Sequence, residues 1–555
     1  MHHRTSVRYV SAMVLAMVGL MTACRDNPLA VNNTDNPNVS QVFALPVNVE
    51  SLISKLYQQM YNGQYGASDD IWTQAMTMSM ESHSQLGNFG MGTRAAIPRS
   101  PIDNSIGNTV ATGNFRDFDF LSRNERSAAN GIAAVNKYLA QGFTAGSVAR
   151  DARAKSFAYF SLGYAMGQLA MLYDSAAIIT QNTAIEEVPP LSASKAVVAA
   201  ALTALDSALA IANSADATNG AGGWPIPPDW VSSPNASGPD LATWKQIIRS
   251  FKARYRAGIA RTPAERAAVD WNAVVADATN GITSDFIILA SVTGGWNSAP
   301  IQQLRVSSGW SQMTPMILGM ADTTGNYDAW LATPISTRSA FLMKTPDKRF
   351  PSGETRALQT AVTGTNKGGP APGSILYFRN RPEGEDTPAE PWGTWYYDNW
   401  RFWAIGATSG NGPFVVMSVT ESDMLAAEGY LRNNQFAQAA ALIDKTRIRS
   451  GLPSVAGITS ATQVVPGGSA CVPRVPQPPN YTSTACGTIF EAMKWEKRVE
   501  TSFTGYSQWF IDARGWGDLV QGTALEWPVP YQEIFARFGP TYTTSAKAAK
   551  GTYGF

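Results

Sequence analysis

Histidine is scarce in this chain, and that narrows its chemistry at once. Of three histidines, two stand at positions 2 and 3, leaving His83 alone in the body. Zinc sites built on several His or Cys are therefore excluded, as is any His-dependent triad that does not use His83. No Walker A or dinucleotide glycine pattern follows a strand-like run. The remaining groups able to do chemistry are carboxylates. Glu496, Glu500 and Asp518 gather near the end of the chain beside Arg498 and Arg514. Two acids about 5–10 Å apart are what glycoside hydrolysis requires. Charges in or beside one helix equally suit a hydrogen-bonded network that docks it on its neighbours. The docking reading is preferred, so no catalytic residue is expected. Asp322-Thr-Thr-Gly325-Asn326-Tyr327-Asp328 crowds oxygens as a calcium loop would, without EF-hand spacing; an Asx-rich turn explains it as well. No other metal or cofactor is expected.

Aromatic residues offer a second kind of chemistry. Trp224, Trp230, Trp296, Trp310, Trp330, Trp392, Trp395, Trp400 and Trp403 all fall outside the clearly helical blocks. A ring on a polar loop stacks on the apolar face of a pyranose while neighbouring amides bond its hydroxyls. The same rings could instead pin long loops onto a helical core. The densest group is Trp296, Trp310, Tyr327 and Trp330, in a Gly- and Ser-rich stretch. With Asn297, Gln302 and Asn326 as hydrogen-bonding partners, it is the expected ligand site. The run from Trp392 through Trp395, Tyr396 and Tyr397 to Trp400 is the next place to look.

The elements that must carry these residues follow a leader. His2, His3, Arg4 and Arg8 precede an apolar run over 10–20, then Leu20-Met21-Thr22-Ala23-Cys24. A basic start, a short apolar run and small residues before a cut describe a secretory signal over 1–23. The last five residues resemble a bacterial lipobox, with Met21 where Leu is usual, making Cys24 the expected lipidation site. An Asn- and Pro-rich tether is predicted over 24–46 and a single compact body over 47–555. No later segment is read as a membrane element. Charged residues make up 15% and the net charge is +1, so nothing points to nucleic acid. In an oxidising compartment Cys471 and Cys486 are expected to pair and staple a loop, two free thiols being the alternative.

Within the body, apolar spacing predicts helices over 49–61, 127–139, 152–172, 194–211, 244–259, 271–279, 420–431, 436–449 and 489–501. They fall into an N-terminal helical part (47–290) and a C-terminal one (416–555), flanking a loop-rich centre (291–415). Long irregular segments lie at 220–240, 293–328, 353–373 and 455–487, and loops of that length usually have a function. Phe436, Ala439 and Ile443 share one helix face after the turn Asn433-Asn434-Gln435, and Gly451 then Pro453 end the pair. A small residue between large ones lets paired helices pack closely, as in tetratricopeptide-like repeats. The predicted fold is mainly α: such pairs form a scaffold, and long loops with a few short strands carry the ligand surface.

In its motifs the chain resembles the SusD/RagB family of outer-membrane nutrient-uptake lipoproteins. Carrying the resemblance are Glu421, Glu428, Arg447, Arg449, Gly451 and Leu452, then Glu496-Lys-Arg498-Val-Glu500, Arg514-Gly-Trp-Gly-Asp518-Leu519 and Trp527-Pro528-Val-Pro530. Earlier come Ala128-Ala-Asn130, the segment from Arg153 through Tyr159 to Leu162, and Asp347-Lys-Arg349. The turn after Arg514 carries one extra residue, and the central loops match nothing in the family pattern. The resemblance implies a surface-facing lipoprotein of the outer membrane that captures oligosaccharides or peptides. It would sit as a lid on a TonB-dependent, porin-like transporter. A lipid-anchored glycan hydrolase using a carboxylate pair is the alternative.

Overall fold

The computed structural model describes residues 43, 45–65, 69–84, 86–218, 220–299, 313–364, 368–371, 373–385 and 395–555. Cys24 and the leader lie outside them. The longer helices are α1 (Pro46–Ser54), α2 (Leu56–Gln64), α3 (Ile71–Met78), α4 (Thr112–Ala140), α5 (Val148–Leu172), α6 (Ser194–Ala217), α7 (Leu241–Gly258) and α8 (Trp271–Thr279). Past the centre come α9 (Val419–Arg432), α10 (Phe436–Arg447), α11 (Ile489–Thr501) and α12 (Gln508–Trp516). Several starts are written locally: Asp70, Ser147, Asp240, Asp270 and Ser418 each cap their helix by accepting a backbone N–H with the side chain.

Two spans differ most from the sequence expectation. The stripe over 49–61 is split at Lys55 into α1 and α2, and α1 already begins at Pro46, with proline in its first turn. α4 runs far past the predicted 127–139. Its first half looks polar in sequence but buries Asn114, Asp117, Phe118 and Leu121. Tyr173 satisfies part of that turn, its hydroxyl donating to Asn114 O (2.8 Å) and accepting from Phe118 N (3.0 Å).

Each long helix packs on the next: α4 on α5, α5 on α6, α6 on α7, α7 on α8, α8 on α9, and α9 on both α10 and α11. This is the tetratricopeptide-like arrangement, in which a helix pair buries its stripe only against its neighbours. Small residues set the spacing. A Cβ on Gly163 of α5 would lie 2.9 Å from Ala201 O of α6, and one on Gly429 of α9 would lie 2.5 Å from Val275 Cγ2 of α8. By length and apolarity alone α6 could cross a membrane, contrary to the expectation of no later such element. Its Val197, Ala201, Leu205 and Ala208 are buried in the stack, as in a core helix.

The stack is interrupted in sequence but not in space. α8 and α9 pack together although residues 280–418 lie between them. Strand β3 (Phe286–Ala290), near the start of this insert, pairs antiparallel with β6 (Gly412–Met417) at its end, so the insert leaves and returns at one place. Inside it, β4 (Phe378–Asn380) pairs with β5 (Tyr397–Asn399). Two further antiparallel pairs stand elsewhere: β1 (Ser175–Ala177) with β2 (Leu191–Ala193), and β7 (Arg474–Pro476) with β8 (Thr484–Cys486). The disulfide Cys471–Cys486, Cα atoms 5.7 Å apart, ties β8 to the start of that hairpin.

Candidate ligand-binding surface

Three carboxylate networks hold the insert and the last helices on the stack, and α11 sorts them by helical spacing. Glu496 and Glu500, four residues apart, share one face. There Arg349 donates from Nη1 to Glu496 Oε2 (2.8 Å) and Glu500 Oε1 (3.1 Å), while its Nε and Nη2 grip Asp347. Trp495 Nε1 bonds Asp347, Thr446 Oγ1 bonds Glu496, and Tyr377 and Arg449 bond Glu500. Lys494 and Arg498, also four apart, turn to Asp518 instead. Lys497 faces Asp512, which meets Arg266 and through it Glu428. Burial pushes Glu428 up, but Arg266, Arg432 and Lys497 outweigh it and hold the carboxyl down at about 2. The expected single cluster of Glu496, Arg498 and Asp518 is thus divided between separate faces. Arg514 joins none of them and donates to the carbonyls of Leu525 (2.8 Å) and Gly258 (3.0 Å). The extra residue after it is resolved by Gly517, whose left-handed backbone (φ +79°) lets Asp518 N close back on Ala513 O at 2.8 Å.

This packing leaves little for carboxylate catalysis. Glu496 and Glu500 are buried, with arginines, Thr446 and Tyr377 on their oxygens. The arrangement is one of docking charges.

The structure buries the described rings of the expected stacking wall. Trp296 is 4% exposed and packs against Tyr57 and Tyr61, ring centroids 6.3 and 5.5 Å away. Tyr327 (1% exposed) and Trp330 (4% exposed) stack on one another at 5.9 Å, and the Tyr327 hydroxyl donates to Met316 O at 2.5 Å. Arg338 covers the Trp330 ring at 4.1 Å. The cause is competition for apolar surface: a large ring buried in a core removes 150–250 Å² from water, and the helical stack offers a place for it. The amides are spent likewise. Asn297 Nδ2 donates to Asn62 O and Tyr65 O, and Asn326 Nδ2 to Leu342 O. Gln302 and Trp310 lie outside the described residues, as does Trp392. Asp322 accepts from Thr324 Oγ1, Tyr327 N and Lys344 N, the bonding of an Asx-rich turn.

Aromatic surface remains elsewhere on the insert. Tyr396 and Phe402 are half-buried, while Trp395, Trp400 and Trp403 are buried beneath. Guanidinium groups lie on these rings: Arg356 over Tyr396 (4.1 Å), Arg379 over Trp403 (4.2 Å), and Arg401 over both Tyr377 (4.3 Å) and Phe402 (5.0 Å). Such cation–π layers hold a ring's orientation while leaving one face or edge to solvent. Arg401 Nη1 is anchored on Glu500 O at 2.6 Å, so this face is fixed to α11. Sequence spacing placed Trp395, Tyr396 and Trp400 in the second-choice cluster but left out Phe402, and it overlooked Arg356, Arg379 and Arg401 as the groups that cover the rings.

The described residues thus form a helical-repeat stack with one loop-rich insert, held to it by buried charged networks. No protein-family profile and no curated protein sequence matches the chain. Among solved structures it is similar to a SusD superfamily protein from Bacteroides vulgatus (TM-score 0.51, 11% identity, 85% of this chain and 89% of that one). It is also similar to a SusD homolog from Parabacteroides distasonis (0.50, 14%, 84% and 84%) and to a laminarin-binding SusD-like protein (0.50, 12%, 90% and 99%). The chain has the SusD-like fold.

Proposed function

We propose that this protein is a cell-surface lipoprotein that captures oligosaccharides and delivers them to a TonB-dependent outer-membrane transporter. The observation that carries the reading is the fold, shared across 90% of this chain and 99% of a laminarin-binding SusD-like protein. The lipobox at Cys24 and the spending of Glu496, Glu500 and Asp518 on buried ion pairs support capture over hydrolysis. Peptides remain the second ligand class to screen. The insert's Tyr396 and Phe402, backed by Arg356 and Arg401, form the proposed capture face. A lid that must release its cargo needs only modest affinity, roughly −4 to −8 kcal/mol, or millimolar to micromolar.

Two measurements test the reading. Purified soluble chain is titrated with neutral oligosaccharides and peptides while product release from the same glycans is followed. Binding without turnover is expected, and glycan turnover would overturn it. In cells, the Cys24→Ala protein should leave the membrane fraction, and the wild-type protein should co-purify with a porin-like partner from native outer membrane. Retention of the Cys24→Ala protein in membranes free of any transporter would refute the anchor.

A further inference from the structure

A groove of about 620 Å³ lies between the loop preceding α7 and the first residues of β3, on the helical stack rather than on the aromatic face. Its volume suits a small ligand. One wall holds Ser233, Asn235 and Ser237, and the other holds Ser284, Asp285 and Ile287.

The loop is rigid. Leu289 N donates to Ser232 O and Ser232 Oγ donates to Leu289 O, both at 2.7 Å, sewing the loop to the outer edge of β3. Ile226 N donates to Pro239 O at 2.9 Å. A Cβ on Gly238 would fall 2.0 Å from Ile226 O, so the two chain segments run in close contact. A groove with preset walls spends little binding energy on ordering itself.

Its polar groups are in surplus. Among the described residues β3 has one strand partner, β6, and Leu289 uses the opposite edge for Ser232. Main-chain groups alternate sides along an antiparallel strand, so Ile287, two residues earlier, presents its N–H and C=O on that same outer edge, in the groove. Asp285 is exposed and uses Oδ1 to cap α9 through Val419 N at 2.8 Å. Among the described residues its other oxygen, the Asn235 amide and the Ser237 and Ser284 hydroxyls make no side-chain hydrogen bond within the protein. Among the described residues two carboxylates, Asp240 and Asp285, and no Lys or Arg line the groove. An anion is therefore disfavoured, whereas hydroxyls that donate to carboxylates and accept from amides are matched. A peptide would need several residues of open strand edge; here one residue is free between the Ser232 clamp and the irregular register at Phe286/Ile287.

We infer that this groove is a second binding site, for a neutral sugar unit, separate from the aromatic face on the insert. The inference rests on the glycan-binding reading above, and the test separates the two. Wild-type protein is titrated with laminarin and with malto-, xylo- and manno-oligosaccharides, beside an oligogalacturonide and an extended peptide. The same titrations are run on Asn235→Ala/Ser237→Ala, on groove-filling Ser284→Trp, and on Tyr396→Ala. Loss of the rim groups should weaken one class of sites about 10-fold. Ser284→Trp should remove that class and leave the Tyr396-dependent one. Glycan binding unchanged in both groove variants overturns the second site alone. No glycan binding by the wild type overturns the functional reading and the site with it. Preference of the groove for the oligogalacturonide or the peptide overturns the assigned ligand class.

Discussion

Replacing Arg349 by Met tests whether buried charge holds the insert on the stack. The guanidinium makes contacts of 2.9 and 2.7 Å to Asp347, 2.8 Å to Glu496 and 3.1 Å to Glu500, in full burial. Met fills most of the volume but leaves three carboxylates facing one another. Breaking one partner out of a buried pair costs roughly 3–5 kcal/mol. The upper end applies here, because three acids lose one shared cation. It is not tripled, because Arg449 still bonds Glu500 and Arg447 still stands 3.9 Å from Glu496. Unfolding entropy of about 2 cal/mol/K per residue over about 500 residues gives roughly 1 kcal/mol per degree, so Tm should fall by about 5 °C. The loss also carries a pH signature. Carboxyls left without their cation have raised folded pKa values, so their penalty is absent below about pH 4 and grows as pH rises toward those values. The gap between wild type and Arg349→Met, followed by calorimetry, should be wider at pH 8 than at pH 5. Arg349→Lys should recover only part of it, since a point charge does not fork onto two acids. A Tm drop under about 1 °C, or a gap equal at both pH values, would refute the reasoning.

Three further outcomes are expected. Burial pushes Glu81 and Glu125 up to about 8, each keeping one backbone N–H (from Phe503 and Ile179), so both fold protonated. Their contribution is complete below the ordinary carboxylate range and is lost as pH rises through about 8. Glu81→Gln and Glu125→Gln should therefore flatten the fall of Tm between pH 5 and pH 8; unchanged slopes would count against it. The Cys471–Cys486 bridge closes a sequence separation of 15 residues, worth about 3 kcal/mol on the chain-entropy model. Cys471→Ser/Cys486→Ser should lower Tm, and reductant should lower wild type to match while leaving the double variant unmoved. Trp296→Ala should cost roughly 3–5 kcal/mol of stability with glycan affinity intact, while Tyr396→Ala should do the reverse; loss of binding in a normally stable Trp296→Ala protein would restore that ring to the site.

The sequence alone determined most of the long helices, though not α3 or α12. Apolar spacing of three and four is a local property, and 271–279 and 489–501 are helices over the spans it marked. Ala439, small between Phe436 and Ile443, announced a close helix pair for the same reason, and α10 packs on α9. Burial was decided only by the tertiary structure. Trp296, Tyr327 and Trp330 read as polar-loop aromatics because their neighbours in sequence are Gly, Ser and Asn, yet their neighbours in space are Tyr57, Tyr61, Met316 and Arg338. The charges of α11 looked like one cluster along the chain and became three, because residues four apart share a face and residues one or two apart do not. Of the groove beside β3, the sequence marked only one wall, as the long irregular segment 220–240. Its walls come from segments about fifty residues apart, and nothing in either predicts the distance at which the helical stack sets them.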